Sequence, residues 1–292
     1  MHILVAFDGS AGALHVCRAV SVYAGERSNI QLTLLNVQRR PVQAWPDPGG
    51  LQTVMEQALQ EQGQEQLDAG RMLLKEAGFA PAARVALGQP ADRILEVARE
   101  IRADAILMGS GRSGLLASHA LGSVALRVAP AAHCSVVLVP PEAALPHACG
   151  RRLRVTAAVD GSPAAAAAVH RLVACQPMLG EVEVDLVHFH PGLTFVSSVM
   201  PPHDDVLRKW GGEELQPAIA RSAEELERAG VPFRVHGVAG DPATGISEFA
   251  KAHAAECVVM GTRGQGVIQH LVWGSVSLST AQRCELPIAL LR

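Results

Sequence analysis

Val5-Ala6-Phe7-Asp8-Gly9-Ser10 and Ala157-Ala158-Val159-Asp160-Gly161-Ser162 stand 152 positions apart, each a short apolar run broken by the same Asp-Gly-Ser turn. The offset holds further along the chain. It carries Met108-Gly109 onto Met260-Gly261 and Gly122-Ser123 onto Gly274-Ser275. Agreement at both ends of each half marks a duplicated module, so each copy checks the reading of the other.

The apolar runs are too short for helices and suit strands buried on both faces. In the first copy they cover Ile3 to Phe7, Leu32 to Val37, Arg84 to Leu87, Ala105 to Met108 and Ser135 to Val139. Helical spacing fills the gaps: Leu14, Cys17 and Val20 after the first strand, the Gln/Glu-rich stretch Leu51 to Glu76 after the second, and Ile94 to Ala98 after the third. Gly78 stops the long helix, and Ser10 is available to cap the first. The second copy repeats the order with strands at Val155 to Val159, Val182 to Phe189, Phe233 to Val235, Cys257 to Met260 and Ile288 to Leu291. Strict alternation of strand and helix predicts an α/β fold of two tandem doubly wound domains, each a five-stranded parallel sheet with helices on both faces. Domain boundaries are expected at 1–142 and 151–292, with a proline-bearing linker at 143–150.

Composition narrows the function. The 292 residues are 49% apolar and 18% charged with a net charge of −3, and no apolar run reaches the ~18 residues that span a bilayer. Without a Lys/Arg run, neither nucleic acid nor a membrane surface is an expected partner. The chain opens directly into a strand without a leader pattern, so a cytoplasmic protein is expected. Cys17, Cys134, Cys149, Cys175, Cys257 and Cys284 form no C-x-x-C pair and read as core filling.

The chemistry lies in Gly261-Thr262-Arg263-Gly264, nine further residues, and Gly274-Ser275, a G-x-x-G-x9-G-S pattern between a strand and a helix. Glycines let backbone N–H groups approach a ligand, and the helix start adds oriented donors and partial positive charge. A loop after the carboxyl end of a parallel strand lies where open α/β sheets bind ligands. A phosphate is the guest this pattern suits. The first copy reads G-x-x-R-x9-G-S, with Arg112 opposite Gly264. Two readings stay open: Gly111 takes the turn with a one-residue slip, or the Arg112 guanidinium clamps a phosphate itself. The second copy is therefore expected to be the better site.

Taken together, the Val-Ala-Phe-Asp-Gly-Ser and Ala-Ala-Val-Asp-Gly-Ser turns, the Met-Gly loops and the spaced Gly-Ser pairs closely resemble the universal stress protein family in its tandem form. The resemblance spans nearly the whole chain. It implies an adenine nucleotide alpha-hydrolase-like, Rossmann-like fold that binds ATP, with Mg2+ left open. It further implies that Asp160 and the backbone near Phe189 meet the adenosine, that Gly261, Gly264, Gly274 and Ser275 hold phosphates, and that Met260 belongs to the same nucleotide site. By the same register Asp8, Val37, Gly109, Arg112, Gly122 and Ser123 serve the first copy. The apolar fifth strands, Val136 to Val139 and Ile288 to Leu291, would as edges invite pairing; the resemblance implies that they meet as an internal pseudo-dimer of the two copies, and a homodimer of the whole chain is expected in turn.

Blander readings stand beside these. An Asp-Gly-Ser turn ordinarily caps the helix that follows, although two in register with a phosphate loop favour ligand contact. His188 and His190 share one strand face, and His203-Asp204-Asp205 follows, but a solvated surface is preferred to a metal site. His119 and His270 beside the loops read as structural. No nucleophile–base ordering or Lys-bearing P-loop appears, so catalytic residues are not expected and at most slow ATP hydrolysis is. A nucleotide-independent scaffold, and an enzyme acting on an adenylated or phosphorylated small molecule, remain the competing functions.

Overall fold

The computed structural model describes residues 1–23, 30–40, 51–111, 121–145, 152–190, 217–262 and 274–292. Among these the chain divides into two compact units, the first reaching Pro141 and the second starting at Glu142.

In the first unit the order is β1 (His2–Ala6), α1 (Ala11–Tyr23), β2 (Gln31–Gln38), α2 (Leu51–Glu76), β3 (Ala82–Leu87), α3 (Pro90–Glu100), β4 (Ala105–Gly109), α4 (Ser123–Ala131) and β5 (Ser135–Val139). The strands are parallel and lie in the order β3-β2-β1-β4-β5. Leu4, Val5 and Ile106 are buried because both faces of the central strands are covered. Right-handed crossovers put α1 and α2 on one face, and the reversal of direction after β3 puts α3 and α4 on the other. That reversal opens a crevice between the carboxyl ends of β1 and β4.

The second unit repeats the plan with β6 (Leu153–Ala158), α5 (Pro163–Ala174), a short α6 (Gln176–Leu179), β7 (Val182–His190), helix α7 (217–228), β8 (Phe233–Ala239), α8 (Pro242–Ala252), β9 (Cys257–Gly261), α9 (Ser275–Arg283) and β10 (Ile288–Leu291). Its parallel order is β8-β7-β6-β9-β10, so its crevice lies between β6 and β9. The expected elements are all present. β8 runs four residues beyond the expected Val235, because Arg234 and His236 interrupt the apolar run without breaking an edge strand that is only half covered. No helix among the described residues is long and apolar enough to cross a membrane.

Core chemistry follows the expected use of cysteine in part. Cys17, Cys134 and Cys284 are buried, whereas Cys175 and Cys257 are half-buried, and Cys149 lies outside the described residues. Burial pushes the Cys17 thiol up to about 12 from an ordinary 9.0, against a small opposing pull from Arg18. Burial, aided by Glu256 and Cys284, does the same for Cys257. Because the thiolate is the nucleophile, Cys17 is expected to stay unalkylated in the folded protein at pH 8 and to label once denaturant is added. Mass-spectrometric mapping of iodoacetamide adducts checks this; labelling of Cys17 without denaturant would show that helix α1 opens readily.

Candidate functional site

Each crevice starts at its Asp-Gly-Ser turn. In the first unit Asp8 Oδ1 accepts from the Ser10 N–H at 3.0 Å, and Ser10 Oγ accepts from the Ala13 N–H at 3.1 Å. The second unit repeats both bonds at the same lengths, Ser162 to Asp160 and Ala165 to Ser162. Gly9 and Gly161 take φ of +78° and +77° to make the turn. The serine therefore caps the helix, and the aspartate only braces the serine's amide. The cap read for Ser10 is present, and Ser162 repeats it. Asp8 is exposed at the crevice, and its second carboxylate oxygen has no partner among the described residues.

Across the crevice the glycine loops leave β4 and β9. Ser110 is pinned by its N–H to the Val139 carbonyl at 3.0 Å, and its carbonyl accepts from the Gly122 N–H at 2.8 Å. Gly111 takes φ +75°, and a Cβ placed on it would lie 2.7 Å from the Gly122 Cα. The left-handed turn of the first copy thus falls on Gly111. In the second unit the Gly274 N–H reaches the Thr262 carbonyl at 3.2 Å, and Ser277 Oγ donates to the Gly261 carbonyl at 3.0 Å. Arg112, Gly264, His119 and His270 lie outside the described residues.

Helices α4 and α9 start at Gly122 and Gly274 with extended backbone and no side-chain cap, and Ser123 and Ser275 are exposed at their first positions. A helix start leaves N–H groups without intrahelical acceptors. At α1, α5 and α8, Ser10, Ser162 and Asp241 take up such a donor. At α4 and α9, as at the Pro-started α3, no described side chain does, so these two glycine-started helices present free donors and the positive end of the helix dipole to the crevice.

One difference separates the copies here. A Cβ on Gly261 would lie 2.8 Å from the backbone of Ala164 in α5, whereas a Cβ on Gly109 would meet only ordinary contacts at 3.9 Å. Gly261→Ala is accordingly expected to destabilise the second unit by about 1–3 kcal/mol, since backbone must shift, while Gly109→Ala should change stability by less than ~1 kcal/mol. Denaturant unfolding of the two variants checks this; equal costs would contradict the asymmetry.

The third wall comes from β2 and β7. Val37 is half-buried at the end of β2, while Phe189 is buried, its ring packed against Gly245 of α8. Met260 is buried one position before Gly261. Asn36 donates Nδ2 to the Phe7 carbonyl at 2.9 Å, and at the corresponding place His188 Nδ1 bonds the Val159 carbonyl at 2.8 Å. His188 and His190 do share a strand face, their rings in an edge-to-face pair at 4.6 Å. They are not solvated, however: His190 is buried and His188 half-buried, because β7 extends one residue beyond its apolar run. Residues 203–205 lie outside the described set, and among the described residues no three His, Cys, Asp or Glu side chains gather as a metal site.

Sequence reading missed one buried cluster. Asp185, on β7, is 4% exposed and accepts from Arg234 Nε at 3.1 Å and His236 Nε2 at 2.9 Å. Its partners sit on the neighbouring strand, paired in register, so a buried carboxylate is neutralised as it must be. The only sequence signal was an acidic residue at an inward position of β7. The first copy has Thr33 there.

Comparison with known proteins agrees with this layout. The universal stress protein family model matches residues 1–140 and again 152–292. Universal stress protein MJ0531 of Methanocaldococcus jannaschii is 33% identical over 138 residues, covering 47% of this chain and 80% of that protein. Universal stress protein Rv2005c of Mycobacterium tuberculosis is 26% identical over 279 residues, 90% of this chain and 88% of that one. In fold the chain is similar to the crystal structure of a universal stress protein from Archaeoglobus fulgidus, with a TM-score of 0.71 at 19% identity over 100% of this chain and 98% of that one. Two matches of the family model, one to each half, identify the chain as a two-copy member of the universal stress protein family.

Proposed function

We propose that the chain binds adenine nucleotide, ATP foremost, at the carboxyl edge of each sheet, more tightly in the second copy, and acts as a nucleotide-dependent regulator of the stress response. The observation that carries this reading is the pair of glycine-started, uncapped helices α4 and α9 at the two switch-point crevices. Such a start offers donors to phosphate oxygens without a competing side chain. In the second copy Gly261, Gly274 and Ser275, joined by Gly264, would hold the phosphates, and Asp160, Met260 and the backbone at Phe189 the adenosine. Asp8, Val37, Gly109, Gly122 and Ser123, with Arg112, would do so in the first. Any Mg2+ would arrive with the phosphates.

Binding without rapid turnover is the companion proposal. Residues 109–123 and 261–275 contain no Lys, Asp or Glu, so neither loop brings its own carboxylate to orient water or a lysine to neutralise a leaving phosphate. Freshly purified protein, denatured and chromatographed, should release an adenine nucleotide in amounts comparable to the protein. Release of none, together with no uptake of added ATP, would favour the scaffold instead.

A further inference from the structure

The two copies also differ in the polar side chains behind the Asp-Gly-Ser turn. In the first, Asn36 is 1% exposed and donates Nδ2 to the Phe7 carbonyl. A carbonyl only accepts, so this bond fixes which way the Asn36 amide faces. The same Nδ2 meets Gln66 Oε1 on α2 at 2.8 Å, and Gln38 Nε2 donates to both Asn36 Oδ1 at 2.9 Å and Gln66 Oε1 at 3.0 Å. Each bond dictates the next. The chain of amides ends with the Gln66 oxygen held inward by two donors and its NH2 group turned away from them.

Gln66 stands beside the turn that opens the crevice. The Gln66 stem lies along the turn, its Cγ 3.2 Å and Cδ 3.5 Å from where a Cβ on Gly9 would be. Gln66 is half-buried, and its Nε2 donates to no atom of the described residues. One peptide away, Asp8 keeps a carboxylate oxygen without a partner among them. A fixed two-hydrogen donor next to an acceptor suits a nucleoside, which carries ring-nitrogen or oxygen acceptors alongside ribose hydroxyl donors. Immobilising three amide side chains also costs rotamer freedom, and here it leaves one donor beside the turn without a partner among the described residues.

We propose that Gln66 is a specificity-determining residue of the first copy, donating Nε2 to an acceptor atom of the bound nucleoside while Asp8 accepts from a hydroxyl. The proposal rests on the nucleotide-binding reading above. The second copy has no counterpart. The same 152-residue offset places Ala218 at this position and His188 and His190 opposite Asn36 and Gln38. The two sites therefore hold their ligands by different chemistry.

Gln66→Glu tests this with little change of shape, because a carboxylate still accepts from Asn36 and Gln38 while its outward atom turns from donor to acceptor. ATP binding is measured by calorimetry in two backgrounds, Gly274→Asp to disable the second copy and Gly122→Asp to disable the first. In the Gly274→Asp background Gln66→Glu should raise Kd by roughly tenfold or more, the loss of a hydrogen bond compounded by an unpaired acceptor. The thermal midpoint should hold, and Kd in the Gly122→Asp background should not move. Gln66→Met, which keeps the length and removes the donor, should weaken the first copy in the same direction. ATP binding in the Gly274→Asp background with no response to either change would overturn this inference alone. No ATP binding in either background would overturn the nucleotide reading and this inference with it, and no binding in the Gly274→Asp background only would overturn the role of Gln66.

Discussion

Gly274→Asp is expected to weaken ATP binding at the second copy by roughly a hundredfold. Two effects act together: a carboxylate occupies the donors at the start of α9, and its charge repels the incoming phosphates. Each is worth about 1–2 kcal/mol, and together they correspond to about two decades in Kd. The variant should nonetheless fold. Gly274 has φ −66° and ψ 140°, extended values open to any residue, and aspartate is among the best helix caps. Lost binding with an unchanged or raised thermal midpoint would thus separate ligand chemistry from unfolding. Gly122→Asp should cost less of the total binding, because the first copy is the weaker site. Calorimetric titration of both variants checks this, and equal losses would remove the proposed asymmetry.

Gly111→Ala is expected to have the largest structural effect in the first copy. Position 111 takes φ +75°, which costs an alanine on the order of 1 kcal/mol. A methyl there would also stand 2.7 Å from the Gly122 Cα and 3.1 Å from its nitrogen, so the loop must leave the start of α4. The combined cost should be about 2–4 kcal/mol, with ATP binding at the first copy lost alongside. Gly230→Ala, at the left-handed turn that ends α7, is the control: φ is +67°, but nothing lies within 4 Å. It should show the conformational cost alone, about 1 kcal/mol. Urea unfolding of the pair isolates the steric part, and similar destabilisation in both would mean that Gly111 does not pack on Gly122.

Both arguments depend on positions that the repeat made visible. The fold was legible because β1, β4, β5, β9 and β10 are nearly uninterrupted apolar runs and because two copies give the same order. The long Gln/Glu-rich stretch was read as Leu51 to Glu76, the bounds that α2 has. The Asp-Gly-Ser turns and Ser caps were legible because turn and cap chemistry is local. What escaped depends on neighbours in space. The four-residue helix α6 lacks a periodic signal. Nothing in sequence distinguishes Gln66 from the other glutamines of α2 until the sheet sets Asn36 and Gln38 against it. Likewise the pairing of Asp185 with Arg234 and His236 follows from the alignment of β7 and β8, which no local pattern encodes. The burial of His190 was missed for a similar reason, since an apolar run marks the core of a strand and not its last residue.

The central claim is that one chain carries two unequal adenine-nucleotide sites. Equilibrium dialysis of labelled ATP against the intact chain, first freed of any bound nucleotide, tests it most directly. Saturable binding in two classes, the tighter one lost in Gly274→Asp and the weaker one in Gly122→Asp, is the predicted result. Absence of saturable binding up to millimolar ATP, or two identical sites, would contradict it.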